Sequence, residues 1–198
     1  MMSFSALLRY AHSVLTHVPW PHWVVMGLLS LALTVYLVIR KRNSTFGAIC
    51  LGISVLIGLF LLNAAVFSRL TSTAHPEYRF SLAAEYHRLI QGGTARWTEM
   101  LANIAAFIPF GLFLSEFLAS AKRFSAGRRL GLATLAGFGL SLCIECLQLL
   151  LRVGFFELTD LVMNTLGAFV GALISAGLRK VVGGEESLLN GHFELRNS

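Results

Sequence analysis

Apolar residues in this chain are gathered into five long runs separated by short polar breaks. The first extends from about His22 to Ile39 and stops at the basic cluster Arg40, Lys41 and Arg42; the second, from about Phe46 to Phe67, follows after a tight turn. The third covers about Met100 to Ser120, the fourth Leu130 to Leu151 and the fifth Leu161 to Leu178. A hydrocarbon core about 30 Å thick takes roughly 20 helical residues to cross, and each run is near that length. Lipid offers no water to bare backbone groups, so the pattern predicts helices rather than open strands. The predicted fold class is all-α: a polytopic membrane helical bundle of about five transmembrane helices, the first two forming a hairpin.

Weaker periodicities lie outside these runs. Leu7, Leu8, Ala11, Val14 and Leu15 recur at helical spacing, while Arg9, His12 and His17 break the run and no small-residue cleavage site follows. A retained interfacial helix is therefore expected rather than a cleaved signal peptide. In the long segment from Ser68 to Glu99, the residues Phe80, Ala83, Tyr86, Leu89 and Ile90 keep near-helical spacing up to Gly92-Gly93. That pattern predicts an amphipathic outer-segment helix, ended by the glycines and placed to roof a site between the spans. After Gly183-Gly184 the chain turns polar and a mobile end is expected. The divisions are an interfacial segment at 1–21, a helical membrane domain at 22–180 and a polar tail at 181–198.

Of the 198 residues, 56% are hydrophobic and 13% charged, against about 25% charged in an average soluble domain; the mean hydropathy is +0.70. The formal charge of +6 concentrates in turns: Arg40 to Arg42, Lys122 and Arg123 with Arg128 and Arg129, and Arg179 with Lys180 fall on one side of the bundle. Basic turns mark the cytoplasmic side and its anionic lipid, which accounts for the charge without a nucleic-acid partner. The N-terminus, the 68–99 segment and the 152–160 loop are then expected outside and the C-terminus inside. Arg69, Arg79, Arg88 and Arg96 lie in the outer segment, but they are spread out and diluted by Glu77, Glu85 and Glu99. No repeat of 20 to 50 residues is visible.

A polar residue inside a span must be satisfied by neighbours or water, so each one asks for a reason. Ser141, Glu145, Gln148 and Arg152 follow one another at four, three and four residues, which lines them along one helical face. Glu145 is the costliest of these and reads as functional; Gln148, like Asn164 in the fifth run, reads equally as a ligand contact or as interhelical glue. Arg152 sits at the interface, where headgroup contact is the ordinary role. Asp160, the sole aspartate, stands at the entrance of the fifth run and doubles as an N-cap candidate, with Asn164 one turn in and Gly167 and Gly171 continuing that side as GxxxG. The third run opens with "NIAAFIPFG", bringing Asn103 and the helix-interrupting Pro109-Phe110-Gly111. Glu116 reads as structural, snorkelling toward Lys122 and Arg123.

Cys143 and Cys146 form a CxxC, but redox or zinc chemistry needs accessible thiolates and further ligands, so these and Cys50 read as packing residues. The six histidines show no HxxxH or HExxH spacing. No metal and no cofactor is expected.

The order "NIAAFIPFG", then a glutamate and a glutamine three apart, then "TDLVMNTLGAFVGAL" resembles the VanZ-like membrane family. The resemblance covers about residues 80–178. Asn103, Phe107, Pro109 and Gly111 match its first block, Glu145 and Gln148 its second, and Asp160, Asn164, Gly167 and Gly171 its third. The arginine that the family carries before the last block corresponds here to Gly154, with Arg152 two residues early. The resemblance implies an integral protein of the bacterial cytoplasmic membrane with an envelope role; a founding member is associated with resistance to the glycopeptide teicoplanin.

Together these readings predict an outer-leaflet polar site built from Asn103, Glu145, Gln148, Arg152, Asp160 and Asn164, with Pro109, Gly111, Gly167 and Gly171 as structural residues. Its expected partners are membrane lipids, including a lipid-linked envelope precursor. An amphiphilic lipid or lipid-linked glycan would be bound or modified there, Arg152 contacting an anionic headgroup and the amides orienting its polar part. The alternatives are a membrane-embedded acid/base enzyme using Glu145 and Asp160, or a small transporter.

Overall fold

The computed structural model describes residues 19–40, 44–66, 78–79, 82–121 and 124–196; the predicted helix within Met1 to Val18 lies outside them. Five helices follow in order: α1 (Trp20–Ile39), α2 (Thr45–Ala65), α3 (Leu82–Ser120), α4 (Ala126–Leu150) and α5 (Leu158–Arg196). Each contains a stretch long and apolar enough to cross a membrane, the stretches in α3 and α5 being Arg96–Ser120 and Leu158–Val182. Two extended pieces, β1 (Tyr78–Arg79) and β2 (Phe156–Glu157), pair in parallel, Tyr78 with Phe156 and Arg79 with Glu157. The backbone of the long intervening segment is thereby tied to the turn that feeds α5.

Helix starts follow local chemistry. The first amides of a helix have no carbonyl partner within it, and side-chain oxygens supply one. Ser44 Oγ accepts from Gly47 N at 3.1 Å at the start of α2, and Ser125 Oγ accepts from Arg128 N at 3.4 Å at the start of α4. The predicted stop at Gly92-Gly93 is not observed: α3 runs through both glycines as one helix of 39 residues. Glycine costs about 1 kcal/mol in a helix interior but removes no hydrogen bond, so flanking helical turns carry it. Likewise α5 runs through Gly183-Gly184 to Arg196 as one helix of 39 residues. Pro109 is also contained within α3.

The bundle is centred on α3 and α5, which lie side by side in parallel, with α4 antiparallel against α5, α2 against α3, and α1 outermost on α2. The α3–α5 seam explains the small residues. A Cβ on Gly167 would overlap the Ile104 carbonyl, one on Gly171 the Ile108 carbonyl, and one on Gly111 the Ala168 carbonyl. Backbone therefore meets backbone along about two turns of α3, the close approach that GxxxG permits. Leu61, Val66, Phe107, Phe110, Ile144, Val153 and Ala168 form the apolar core beside it. In the α1–α2 hairpin, Ser30 Oγ donates to Gly52 O at 2.6 Å, Asn63 Nδ2 donates to His22 Nδ1 at 2.9 Å, and Trp23 stacks on Phe60 at 4.9 Å. Large apolar residues such as Leu28, Val35, Leu135, Phe169 and Leu173 face outward, as a lipid-embedded surface requires.

Candidate functional site

The polar residues collect at the end of the bundle where α4 finishes and α5 begins. Glu145 is 2% exposed, and burying a carboxylate is expensive without compensating donors. Its Oε2 accepts from the backbone N of Glu157 at 2.8 Å. Glu157 directly precedes α5, so the carboxylate meets the positive end of that helix, where an anion is favoured. Glu157 is itself buried, and its Oε2 accepts from Arg96 Nη2 at 2.6 Å; Arg96 Nη1 also reaches Glu99 Oε2 at 2.9 Å. The chain Glu99, Arg96, Glu157, Glu145 thus links α3, the turn before α5, and α4.

Asp160 lies in the first turn of α5 rather than at its cap, and it is half-buried and engaged by neighbours. One turn deeper, Asn164 is buried, and its Nδ2 donates to Ser141 Oγ at 2.9 Å across to α4. Gln148 is buried too, but it faces α2: its Nε2 donates to Ala65 O at 3.0 Å. Ala65 is the last residue of α2, so Gln148 satisfies one of that helix's otherwise orphaned carbonyls. Asn103 is half-buried on α3, two turns below Arg96 and on the same face.

Arg152 stands apart from the buried network. Helix α4 ends with Val153 N bonded to Gln148 O at 3.0 Å and Arg152 N to Leu149 O at 3.2 Å. This pair of bonds is a Schellman motif, which requires a left-handed residue at the position Arg152 occupies. Arg152 has φ 56°, the one positive φ outside glycine among the described residues. Its side chain is exposed and forms no hydrogen bond or ion pair with the described residues. Glycine usually fills such a position, so the arginine is held there at a conformational cost. A Cβ added at Gly154 would lie 3.3 Å from the Gln148 side chain.

A family model described as VanZ/LLP1 matches residues 23–179. The chain belongs to this family. The VanZ/LLP1 match thus runs from the first turn of α1 through most of the membrane-spanning part of α5. Over 80 residues the chain is 32% identical to Protein VanZ of Enterococcus faecium, an alignment taking in 39% of this chain and 44% of that protein. The chain therefore matches less than half the length of that relative. No solved structure matches.

Within this VanZ/LLP1 bundle, Glu145, Asp160 and Asn164 share one region of the α3, α4 and α5 interface. Arg152 lies at its edge, and Gln148 is turned to a helix-capping task. Sequence reasoning missed Arg96 and Glu157. Arg96 was one of four scattered arginines in a segment expected to roof the site, and its partner is 61 residues away; the signal was a buried-face position seven residues before Asn103. Glu116 was expected to reach toward Lys122 and Arg123. Its carboxylate instead accepts from Ser175 Oγ at 2.6 Å and from Arg179 Nη2 at 2.6 Å and Nε at 3.0 Å, clamping α3 to α5 at the opposite end. Cys50 is buried, whereas Cys143 and Cys146 are exposed thiols on the apolar surface. Among the described residues no three His, Cys, Asp or Glu side chains converge as metal ligands would.

Proposed function

We propose that this VanZ-like protein engages the headgroup of an amphiphilic lipid or lipid-linked glycan of the cell envelope at the α4–α5 end, which faces the outer leaflet. The observation that carries the reading is the pairing of two costly features within one turn of chain. Glu145 and Glu157 are buried carboxylates, the first accepting from the Glu157 backbone N and the second from Arg96, and directly above them Arg152 is held in a left-handed conformation with its side chain exposed. A scaffold has apolar alternatives to the first and glycine as an alternative to the second. Arg152 supplies a cation at headgroup depth for a phosphate, and the acceptor-rich interior supplies partners for the rest of the polar head.

Nanodiscs of phosphatidylcholine doped with phosphatidylglycerol or a polyprenyl phosphate test this, with bound lipid counted by native mass spectrometry. Arg152→Ala and Glu145→Gln each reduce retention of the anionic lipid about tenfold. Unchanged retention in both variants would show the site assignment to be wrong. The acid/base reading uses the same carboxylate, and turnover of either lipid that is abolished by Glu145→Gln would establish it.

A further inference from the structure

The floor of the polar region has a chemistry of its own. Ser141 lies one turn below Glu145 on α4, and Asn164 lies one turn below Asp160 on α5, so the Asn164–Ser141 bond of 2.9 Å is a rung closing the region from beneath. Helix α3 forms the third side. Arg96 meets Glu157 across 61 residues, and further along the same parallel seam Ile104 of α3 lies against Gly167 of α5.

One atom of this floor is unlike the others. Asn164 is 6% exposed and its Nδ2 is committed to Ser141, while its Oδ1 is a buried side-chain oxygen with no hydrogen-bond partner among the described residues. An unpaired buried acceptor is a persistent cost, and leucine of similar size would avoid it. A carbonyl oxygen only accepts, so whatever completes Asn164 must bring an O–H or N–H. The walls ask for the same chemistry. Glu145 and Asp160 present acceptor oxygens, and Arg96 is already shared between Glu157 and Glu99. A phosphate at this depth would meet oxygen acceptors, whereas a hydroxyl brings the donor that acceptors need.

We infer that the deepest part of the bound headgroup is its hydroxyl-bearing portion, a polyol or sugar. One O–H is donated to Asn164 Oδ1, and the phosphate stays at the rim beside Arg152. This rests on the headgroup reading above and adds which end of the headgroup enters. It makes the site selective for donor groups rather than for negative charge alone.

The test compares two lipids with the same phosphodiester charge: phosphatidylglycerol, which carries two hydroxyls, and phosphatidylethanol, which carries none. The full chain is placed in phosphatidylcholine nanodiscs containing both, and native mass spectrometry reads their ratio. The wild type retains phosphatidylglycerol about tenfold over phosphatidylethanol, the worth of one ordinary hydrogen bond. Asn164→Leu brings the ratio to about one while both anionic lipids still exceed phosphatidylcholine. Ser141→Ala removes the same interhelical bond yet leaves the Asn164 oxygen, so it keeps the preference and controls for loss of packing. Equal retention of the two anionic lipids by the wild type overturns this inference and leaves the headgroup reading standing. Retention of neither above phosphatidylcholine overturns both. A preference that survives Asn164→Leu, or stronger retention of phosphatidylethanolamine, overturns the hydroxyl assignment. Displacement by free glycerol overturns the lipid assignment.

Discussion

Replacing Arg152 by glycine should stabilise the fold and weaken its function at the same time. Arg152 holds φ 56° at the end of α4, where two backbone bonds of 3.0 and 3.2 Å fix it. A left-handed conformation costs a residue with a Cβ about 1–2 kcal/mol, while glycine gives back about 0.5–1 kcal/mol through its freer unfolded chain. The exposed side chain makes no hydrogen bond or ion pair with described residues that the change would remove. The net gain is then about 0.5–1 kcal/mol, or roughly 1–4 °C in Tm for a chain of this size. Thermal unfolding of detergent-solubilised wild type and Arg152→Gly reads this directly, with Arg152→Ala as the control that keeps the Cβ and gains nothing. A loss of stability in Arg152→Gly would refute the reasoning, because it would mean that the side chain supports the fold rather than being carried at a cost. A stability gain joined to a loss of anionic-lipid retention would place Arg152 among residues kept for function.

Gly171→Leu drives a side chain into the Ile108 carbonyl and within 2.8 Å of Leu112 N; loss of the monodisperse peak in size exclusion is expected, at a cost above about 3 kcal/mol. Gly177→Ala is its counterpart, since a Cβ there meets nothing within 4 Å, and it should raise Tm slightly through helix propensity. Arg96→Ala removes the guanidinium 2.6 Å from the Glu157 carboxylate, the two side chains being 17% and 11% exposed; about 2–3 kcal/mol is expected, reduced from the fully buried case by residual solvent. Adding Glu157→Leu should recover part of it in a double-mutant cycle. Glu116→Gln should cost less, about 1 kcal/mol by the same unfolding assay, because Arg179 is 37% exposed and Ser175 still has an oxygen to bond.

The five spans were legible because lipid enforces one simple pattern, and their predicted cores all fall within observed helices. Their ends were less legible. Gly92-Gly93 reads as a stop in isolation, yet a helix already extended on both sides passes through it. The polar stripe Ser141, Glu145 and Gln148 was visible as a periodicity on one helix. Its division of labour was not: that Gln148 serves the end of α2 and Glu145 the start of α5 depends on contacts 83 and 12 residues apart. Arg96 was hidden for the same reason, since nothing local distinguishes it from Arg88. The strain at Arg152 is a backbone property that no spacing rule reveals.

The most direct measurement uses a photoactivatable phospholipid, its diazirine on the headgroup, crosslinked to the wild-type protein in nanodiscs and mapped by peptide mass spectrometry. Crosslinks on the turn from Leu151 to Glu157 and on α3 near Arg96, reduced in Arg152→Ala, are the expected result. Crosslinks spread evenly over both ends of the bundle, unchanged in Arg152→Ala, would contradict a headgroup site at the α4–α5 turn.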